Sequence, residues 1–336
     1  MKKTLVIGGF GNIGLGVTKA LVNEGYDVTV TTLPMEGENP VPGTKWVQAD
    51  RKDAEGFRSA VGGGYEYVID FACFTLEDAE QDYELFSADV KHMIAVSTGA
   101  SYGALLGREI PIREHMVQRP TWGYGVTKKA MEEFFFDKFR KEGFPITIFR
   151  PTVTYGRAGT LVRQIGMDNS WVDRIRKGKP IVTGNPYILR NFLYVDDAPG
   201  AFLGALRHEW CKGQAYNLGA MRGWDWGAYH TAMMEILGRE VEMVEVPLKT
   251  LQSSPHFEVS PMITTNFIYN GLYAGDKIAR DIPEFCPCTD LKTGLTKALE
   301  YLEERNLIPD SDEMTWEDEL IEAQRQSVIY LSGLKK

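Results

Sequence analysis

Tyr124 and Lys128 stand four residues apart in Gly123-Tyr124-Gly125-Val126-Thr127-Lys128-Lys129, at the head of a run to Lys141 rich in helix formers. On a helix that spacing puts a phenol and an ammonium one turn apart on one face. A phenol ordinarily titrates at about 10. An ammonium beside it favours the phenolate, so such a tyrosine can exchange protons near neutral pH, which is the acid/base half of a hydride transfer. Alone the pair is a weak signal, because exposed helices carry many like it. Its weight depends on what the rest of the chain supplies.

Upstream, Thr4 to Ile7 is a short apolar run of the kind buried on both faces of a sheet. It ends in Gly8-Gly9-Phe10-Gly11-Asn12-Ile13-Gly14, followed by an amphipathic stretch from Leu15 to Glu24 and a second strand from Asp27 to Thr32. Strand, glycine turn, helix and strand make a βαβ unit. Gly8, Gly11 and Gly14 are spaced for a tight turn, backbone approach to a pyrophosphate and close helix packing, and the helix N-terminus offers free N–H groups to an anion. A dinucleotide is therefore expected, NAD or NADP. The second strand ends Thr31-Thr32-Leu33-Pro34, neither acidic nor basic, which leaves the 2′ position of the adenosine ribose undecided.

Further strands are expected at Lys45–Ala49, Tyr67–Phe71, Met93–Ser97 and Ile146–Phe149, alternating with helical stretches to Val61, from Leu76 to Asp89 and from Tyr124. This alternation predicts an α/β fold: a Rossmann-type, doubly wound parallel sheet with a smaller C-terminal α/β substrate lobe. Residues 1–156 form the dinucleotide-binding domain, its core continuing through parts of 185–220. Residues 157–336 are mainly the substrate lobe, lying over the cleft, and C-terminal helices. Ligands of such sheets gather beyond the carboxyl ends of the strands, where Asp50, Phe71 and Thr98 fall.

The 336 residues carry a net charge of −9, which argues against bulk nucleic-acid binding, although Arg157, Arg163, Arg174, Arg176, Lys177 and Lys179 could form a local basic patch. The acidic run from Glu300 through Asp310, Asp312, Glu317 and Asp318 to Glu319 reads as a solvated helical face. Four scattered cysteines suggest no disulfide framework, and Cys286-Pro-Cys288 is not zinc spacing, so no metal is expected. With no signal-peptide region and no membrane-spanning stretch, a cytoplasmic location is expected.

Taken in order, the glycine loop, Asp50, Ser97-Thr98 with Tyr102-Gly103, Tyr124-Gly125-Val126-Thr127-Lys128, Arg150-Pro151 and Arg190 through Asp197 resemble the extended short-chain dehydrogenases/reductases, specifically the NAD-dependent epimerase/dehydratase superfamily. The resemblance runs from Thr4 to about Glu304. It implies that Gly8, Gly11, Asn12, Ile13 and Gly14 hold the pyrophosphate, with Thr31, Asp50, Arg51 and Ser97 also at the cofactor. Phe71 and Ala72 would line the path to the nicotinamide, with Pro151 behind its ring. Thr98 would hold the substrate oxygen and Tyr124 pass the proton. Lys128 would bind the ribose hydroxyls and depress the Tyr124 pKa. Arg190 falls where relatives acting on nucleotide sugars bind a phosphate, and Asp197 where a helix would be capped.

The expected activity is epimerisation of a sugar, such as a nucleotide sugar, through a transient ketone. The alternatives are a reductase or dehydrogenase of a sugar or small carbonyl compound, and a non-catalytic dinucleotide sensor or RNA-associated relative. Thr98 is followed by Gly99-Ala100, where the resembling 4,6-dehydratases carry an Asp-Glu pair, so that elimination lacks its acid. The short segment between the fourth and fifth strands instead resembles an atypical branch that includes chloroplast RNA-associated proteins. The Phe134-Phe135-Phe136 run is more apolar than one buried face requires, and a homodimer through that helix is expected.

Overall fold

The computed structural model describes residues 2–35, 37–104, 107–255 and 259–334. The chain divides into two compact units. The first comprises Met1–Thr154, Phe192–Met221 and Tyr273–Cys288; the second comprises Tyr155–Asn191, Arg222–Leu272 and Thr289–Lys336. The segment Tyr273–Cys288 thus packs in the first unit, against its expected place in the C-terminal lobe.

The first unit is built on seven strands: β1 (Lys3–Ile7), β2 (Asp27–Thr32), β3 (Lys45–Gln48), β4 (Tyr67–Asp70), β5 (His92–Val96), β6 (Ile146–Pro151) and a last strand, Gln214–Leu218. They pair in parallel in the order Gln214–Leu218, β6, β5, β4, β1, β2, β3. The chain runs outward from β1 to β3, then returns to the other side of β1, so the order reverses between β1 and β4. Crevices at such a reversal, at the carboxyl ends of the strands, are where doubly wound sheets bind ligands. Register brings Ile7 level with both Thr31 and Asp70, and Val96 level with Phe149.

Side chains alternate between two cores, as a strand's period of two requires. Val6, Ile69, Ile94 and Phe149 join α1 (Gly14–Asn23) and the helix Pro199–Arg207 on one face. Leu5, Val68, Met93 and Ile148 join α2 (Ala54–Val61), α3 (Leu76–Phe86) and α4 (Gly123–Glu142) on the other. The α3 start is fixed by a capping box, in which Thr75 and Asp78 each bond the other's backbone N–H. The α4 helix ends at Gly143, whose φ of 73° suits glycine.

The phenylalanine run is absorbed by this second core. Phe135 is fully buried and stacks on Phe144, while Phe134 and Phe136 are half-buried against the same cluster. The apolar excess that suggested a dimer face is therefore used within the chain. Ala198 precedes the helix Pro199–Arg207 as its cap, with Pro199 at the first turn; Asp197 lies in the short 3₁₀ turn before it.

The second unit contains the parallel pair Ile181–Thr183 with Met243–Glu245 and the antiparallel pair Leu189–Arg190 with Trp224–Asp225. Its helices include Ser170–Lys177, Trp226–Leu237, Leu291–Glu304 and Trp316–Ser332. The acidic C-terminal run is exposed to solvent as expected, except at Glu317. Glu317 is buried and takes two hydrogen bonds from Arg163, at 2.7 and 3.1 Å, and one from the Val182 N–H. Asp318 pairs with Arg174, Glu303 with Arg176, and Asp312 with Lys177 and Lys179. The basic stretch and the acidic run, distant in sequence, neutralise each other. Among the described residues no helix is long and apolar enough to cross a membrane.

Candidate active site

The glycine loop closes the end of β1. Gly8 has a φ of 71°, which L side chains rarely adopt; its N–H reaches Thr31 O at 2.8 Å and its carbonyl receives Gly11 N at 3.1 Å. A Cβ at Gly14 would stand 2.7 Å from Gly8 O, so only glycine lets α1 start this close to the turn. At Gly9 a Cβ would meet Thr18 Oγ1 and Val6 Cγ1 at 2.8 Å, so this glycine, which the spacing argument passed over, also seats the helix on the sheet. At Gly11 a Cβ would meet only Gly8 O, at 3.4 Å, which leaves that side of the loop approachable.

No side chain caps the start of α1, as suits a helix end that receives an anion. Asn12 Oδ1 is buried without a hydrogen-bond partner, an orphan that a bound molecule would satisfy. Ile13 packs against the core behind the loop. Beside the loop lies a cavity of about 1050 Å³, lined by Gly8, Gly11, Thr31, Asp50, Ala72 and Phe74 among others. Glycine turn, uncapped helix, orphaned Asn12 and a cavity of this volume together fit a dinucleotide. Asp50 holds the Lys52 N–H at 2.9 Å, which shapes the far wall.

Arg51 lines this cavity too, and its guanidinium pairs with three carboxylates, Asp70 at 2.5 Å, Asp82 at 2.9 Å and Asp78 at 3.1 Å. It also bonds the Asp78 carbonyl, tying the loop after β3 to β4 and α3. Burial and the nearby Asp70 push the Asp82 carboxyl well above the usual range, while Arg51 opposes that shift. Among the described residues Asp70, Cys73 and Asp82 are the one group whose donor atoms lie close enough together to hold a metal. Arg51 already occupies two of those carboxylates.

Thr98, Tyr124 and Lys128 come together at the carboxyl end of β5 and the start of α4. The Thr98 hydroxyl accepts from Ala100 N at 3.1 Å, which opens a 3₁₀ turn, Gly99–Tyr102. Burial pushes the Tyr124 phenol up from its ordinary value, and the hydrogen bond with Thr98 pulls it down. Lys128 is buried beneath, its ammonium 5.9 Å from the Tyr124 ring centre. The expected depression of the Tyr124 phenol by Lys128 is not displayed here: burial dominates, and the opposing influence comes from Thr98.

Lys128 Nζ donates to two backbone carbonyls, Cys73 and Val96, both at 2.7 Å, and faces the Phe74 ring at 4.6 Å. Burial pulls the ammonium down from its ordinary pKa, opposed by Cys73, Asp70, Glu132 and Asp78. Phe74, 47% exposed, was not among the expected site residues, and its N–H is fixed by Asp78 at 2.7 Å. The Trp122 ring lies 5.1 Å from that of Tyr124.

Other expected contributors are turned elsewhere. Ser97 is buried and its hydroxyl bonds Glu132 within the fold instead of facing the cavity. Ala72 lines the cavity, whereas the Phe71 ring packs on Phe202, 5.2 Å away, in the core. Pro151 is half-buried at the end of β6, paired in register with Leu218. Arg190, in the second unit, is 1% exposed; it bonds the Asn266 carbonyl and side chain and lies over the Phe267 ring at 5.4 Å. These contacts tie it into that unit.

The sequence profile described as the NAD dependent epimerase/dehydratase family matches residues 4–219. The chain is 26% identical over 250 residues to a 2′-dehydrokanamycin reductase of Streptomyces kanamyceticus, covering 73% of this chain and 69% of that one. It is 24% identical over 281 residues to a UDP-glucose 4-epimerase of Corynebacterium glutamicum, covering 73% and 83%. The structure is similar to that of a UDP-glucose 4-epimerase from Thermotoga maritima solved with UDP-glucose, with a TM-score of 0.70 over 90% of this chain and 99% of that one at 22% identity.

Proposed function

From a chain that belongs to the NAD dependent epimerase/dehydratase family and is an NAD(P)-dependent enzyme of the extended short-chain dehydrogenase/reductase type, we propose a nucleotide-sugar epimerase with Tyr124 as its acid and base. The observation that carries this reading is the convergence of the Thr98 hydroxyl, the Tyr124 phenol and the buried Lys128 ammonium within the unit that carries the glycine-loop cavity. When bound there, NAD or NADP supplies the acceptor and donor of hydride. Gly8, Gly11, Gly14 and the start of α1 would hold its pyrophosphate, and Lys128 its ribose. Thr98 and Tyr124 hydrogen-bond the same sugar oxygen. Tyr124 takes the hydroxyl proton as the carbon is oxidised and returns it to the ketone oxygen after the sugar has turned. A carboxylic acid for eliminating water has no place after Thr98, where Gly99 and Ala100 stand, so dehydration is disfavoured.

A second reading, reduction of a carbonyl compound, is supported by the similarity to the 2′-dehydrokanamycin reductase and uses the same Thr98 and Tyr124 contacts. A non-catalytic or RNA-associated role draws less support, because both Tyr124 and Lys128 are present and the basic stretch of the second unit is neutralised by carboxylates. The test begins with purified protein, denatured, its released small molecules identified by mass spectrometry. Stoichiometric NAD supports the epimerase cycle, in which the hydride returns. Absence of bound nucleotide with preference for NADPH supports the reductase, and absence of any dinucleotide binding overturns both. Tyr124→Phe should lower turnover of UDP-glucose, or of the carbonyl substrate, by about 10²–10⁴-fold with dinucleotide affinity retained.

A further inference from the structure

We infer that Glu132 is a positioning residue, which locks the segment bearing Thr98 to the helix bearing Tyr124 so that the two hydroxyls stay within mutual reach. This rests on the reading of Thr98 and Tyr124 given above, but the geometry stands independently of any substrate. Glu132 lies one helical turn beyond Lys128 and two beyond Tyr124, and is 1% exposed.

Its carboxylate is the hub of a buried network. Oε1 accepts from the Ser97 hydroxyl, the residue immediately before Thr98. Arg150, at the end of β6, approaches side-on, its Nη2 reaching Oε2 at 2.6 Å and its Nε within 3.1 Å of both oxygens. Gln118 Nε2 donates to Oε2 at 2.9 Å and to Ser101 Oγ at 2.8 Å. Arg150 Nη1 continues to the Tyr102 hydroxyl at 2.6 Å, which donates to Asn217 Oδ1 at 2.8 Å. Thr98 is therefore flanked on both sides: Ser97 is bonded to Glu132 directly, and Ser101 and Tyr102 through Gln118 and Arg150.

Two hydroxyls that share one substrate oxygen must be held to within about 0.5 Å of their working positions. Thr98 sits on a short turn and Tyr124 on a helix some twenty residues later, so backbone hydrogen bonds within either element leave their mutual distance unset. A bidentate arginine–carboxylate pair is among the more directional contacts a protein can place there. Burial keeps water from competing for it.

The test reads Tyr124 itself, without a substrate. Its ring resonance, in protein carrying ¹³C-labelled tyrosine, is identified by its loss in Tyr124→Phe and followed against pH. The groups facing that phenol are Thr98 from the turn, Lys128 from α4 and the Trp122 ring. Ser97→Ala removes one hydrogen bond to Glu132 and no charge, so it separates position from electrostatics. Loosening Thr98 should reduce the Tyr124 phenolate fraction at a given alkaline pH by about three- to tenfold. Glu132→Gln, which turns an acceptor into a donor against Arg150, should act in the same direction and more strongly. A Tyr124 titration unchanged in Ser97→Ala, whatever the change in thermal midpoint, overturns the inference. Should Glu132→Gln fail to fold, Ser97→Ala decides the question alone. Failure of the catalytic reading would appear separately, as full turnover in Tyr124→Phe.

Discussion

At Lys128 three N–H donors meet two carbonyls and a ring. Cys73 O and Val96 O satisfy two of them, and the Phe74 face stands over the third, where a ribose hydroxyl would bond. A cation over an aromatic ring that is itself open to solvent, as Phe74 is at 47% exposure, gains about 0.5–1 kcal/mol, which the dinucleotide must displace. Phe74→Ala should therefore raise dinucleotide affinity by about two- to fivefold, measured by calorimetric titration; a fall in affinity would mean that the ring is part of the cofactor's own binding surface. The same lysine predicts a pH dependence. Its pKa is depressed by burial, and binding needs the ammonium form, so affinity is full below that depressed pKa and falls as pH rises through it. The fall should come earlier than for an exposed lysine, which titrates at about 10.4. In Lys128→Met the affinity should be weaker, with that alkaline limb absent.

At the scale of elements, the glycine loop shows what a sequence encodes well. Gly8 needs its positive φ and Gly14 its bare Cα because backbone atoms crowd them, and such needs leave a local pattern. The parallel strands were legible for a related reason. Burial on both faces makes them unbroken apolar runs between turn residues. Gly9→Ala should destabilise the protein by about 1–3 kcal/mol, since its Cβ would meet Thr18, Val6 and Val30 within 3 Å; thermal unfolding with and without NAD would measure it. Side-chain direction is less legible. Ser97, Arg51 and Arg190 all fall at the places where a ligand site is expected, yet each is turned to a partner elsewhere in the fold. Those partners are Glu132, a trio of aspartates and Asn266, lying 35, between 19 and 31, and 76 residues away. Spacing along one element cannot specify a partner on another, which is also why Glu132 and Phe74 went unnoticed.

Across the molecule, charge is the property that composition describes least faithfully. A net charge of −9 and an acidic C-terminal run suggest a solvated tail, and the run is exposed except at Glu317, but it is also the counter-charge of the basic stretch within its own unit. The contributions are unequal. Arg163 and Glu317 are both fully buried, so Glu317→Ala should cost about 3 kcal/mol, because it leaves the interior guanidinium only the longer contact with Asp168, at 3.5 Å. Asp318 is half exposed, and its partner Arg174, though buried, keeps Glu317 at 3.8 Å, so Asp318→Ala should cost less than Glu317→Ala. Urea unfolding of the two variants side by side would check the contrast. The Arg163–Glu317 bond also constrains descent. The two residues are 154 positions apart, and loss of either alone leaves a buried charge with only a longer contact, Asp168 at 3.5 Å for Arg163 or Arg174 at 3.8 Å for Glu317, so a lineage can abandon the pair only by passing through a weakened ancestor or by changing both together. Across related genes they should be inherited as a unit, kept or lost jointly, while the exposed pairs around them drift one residue at a time.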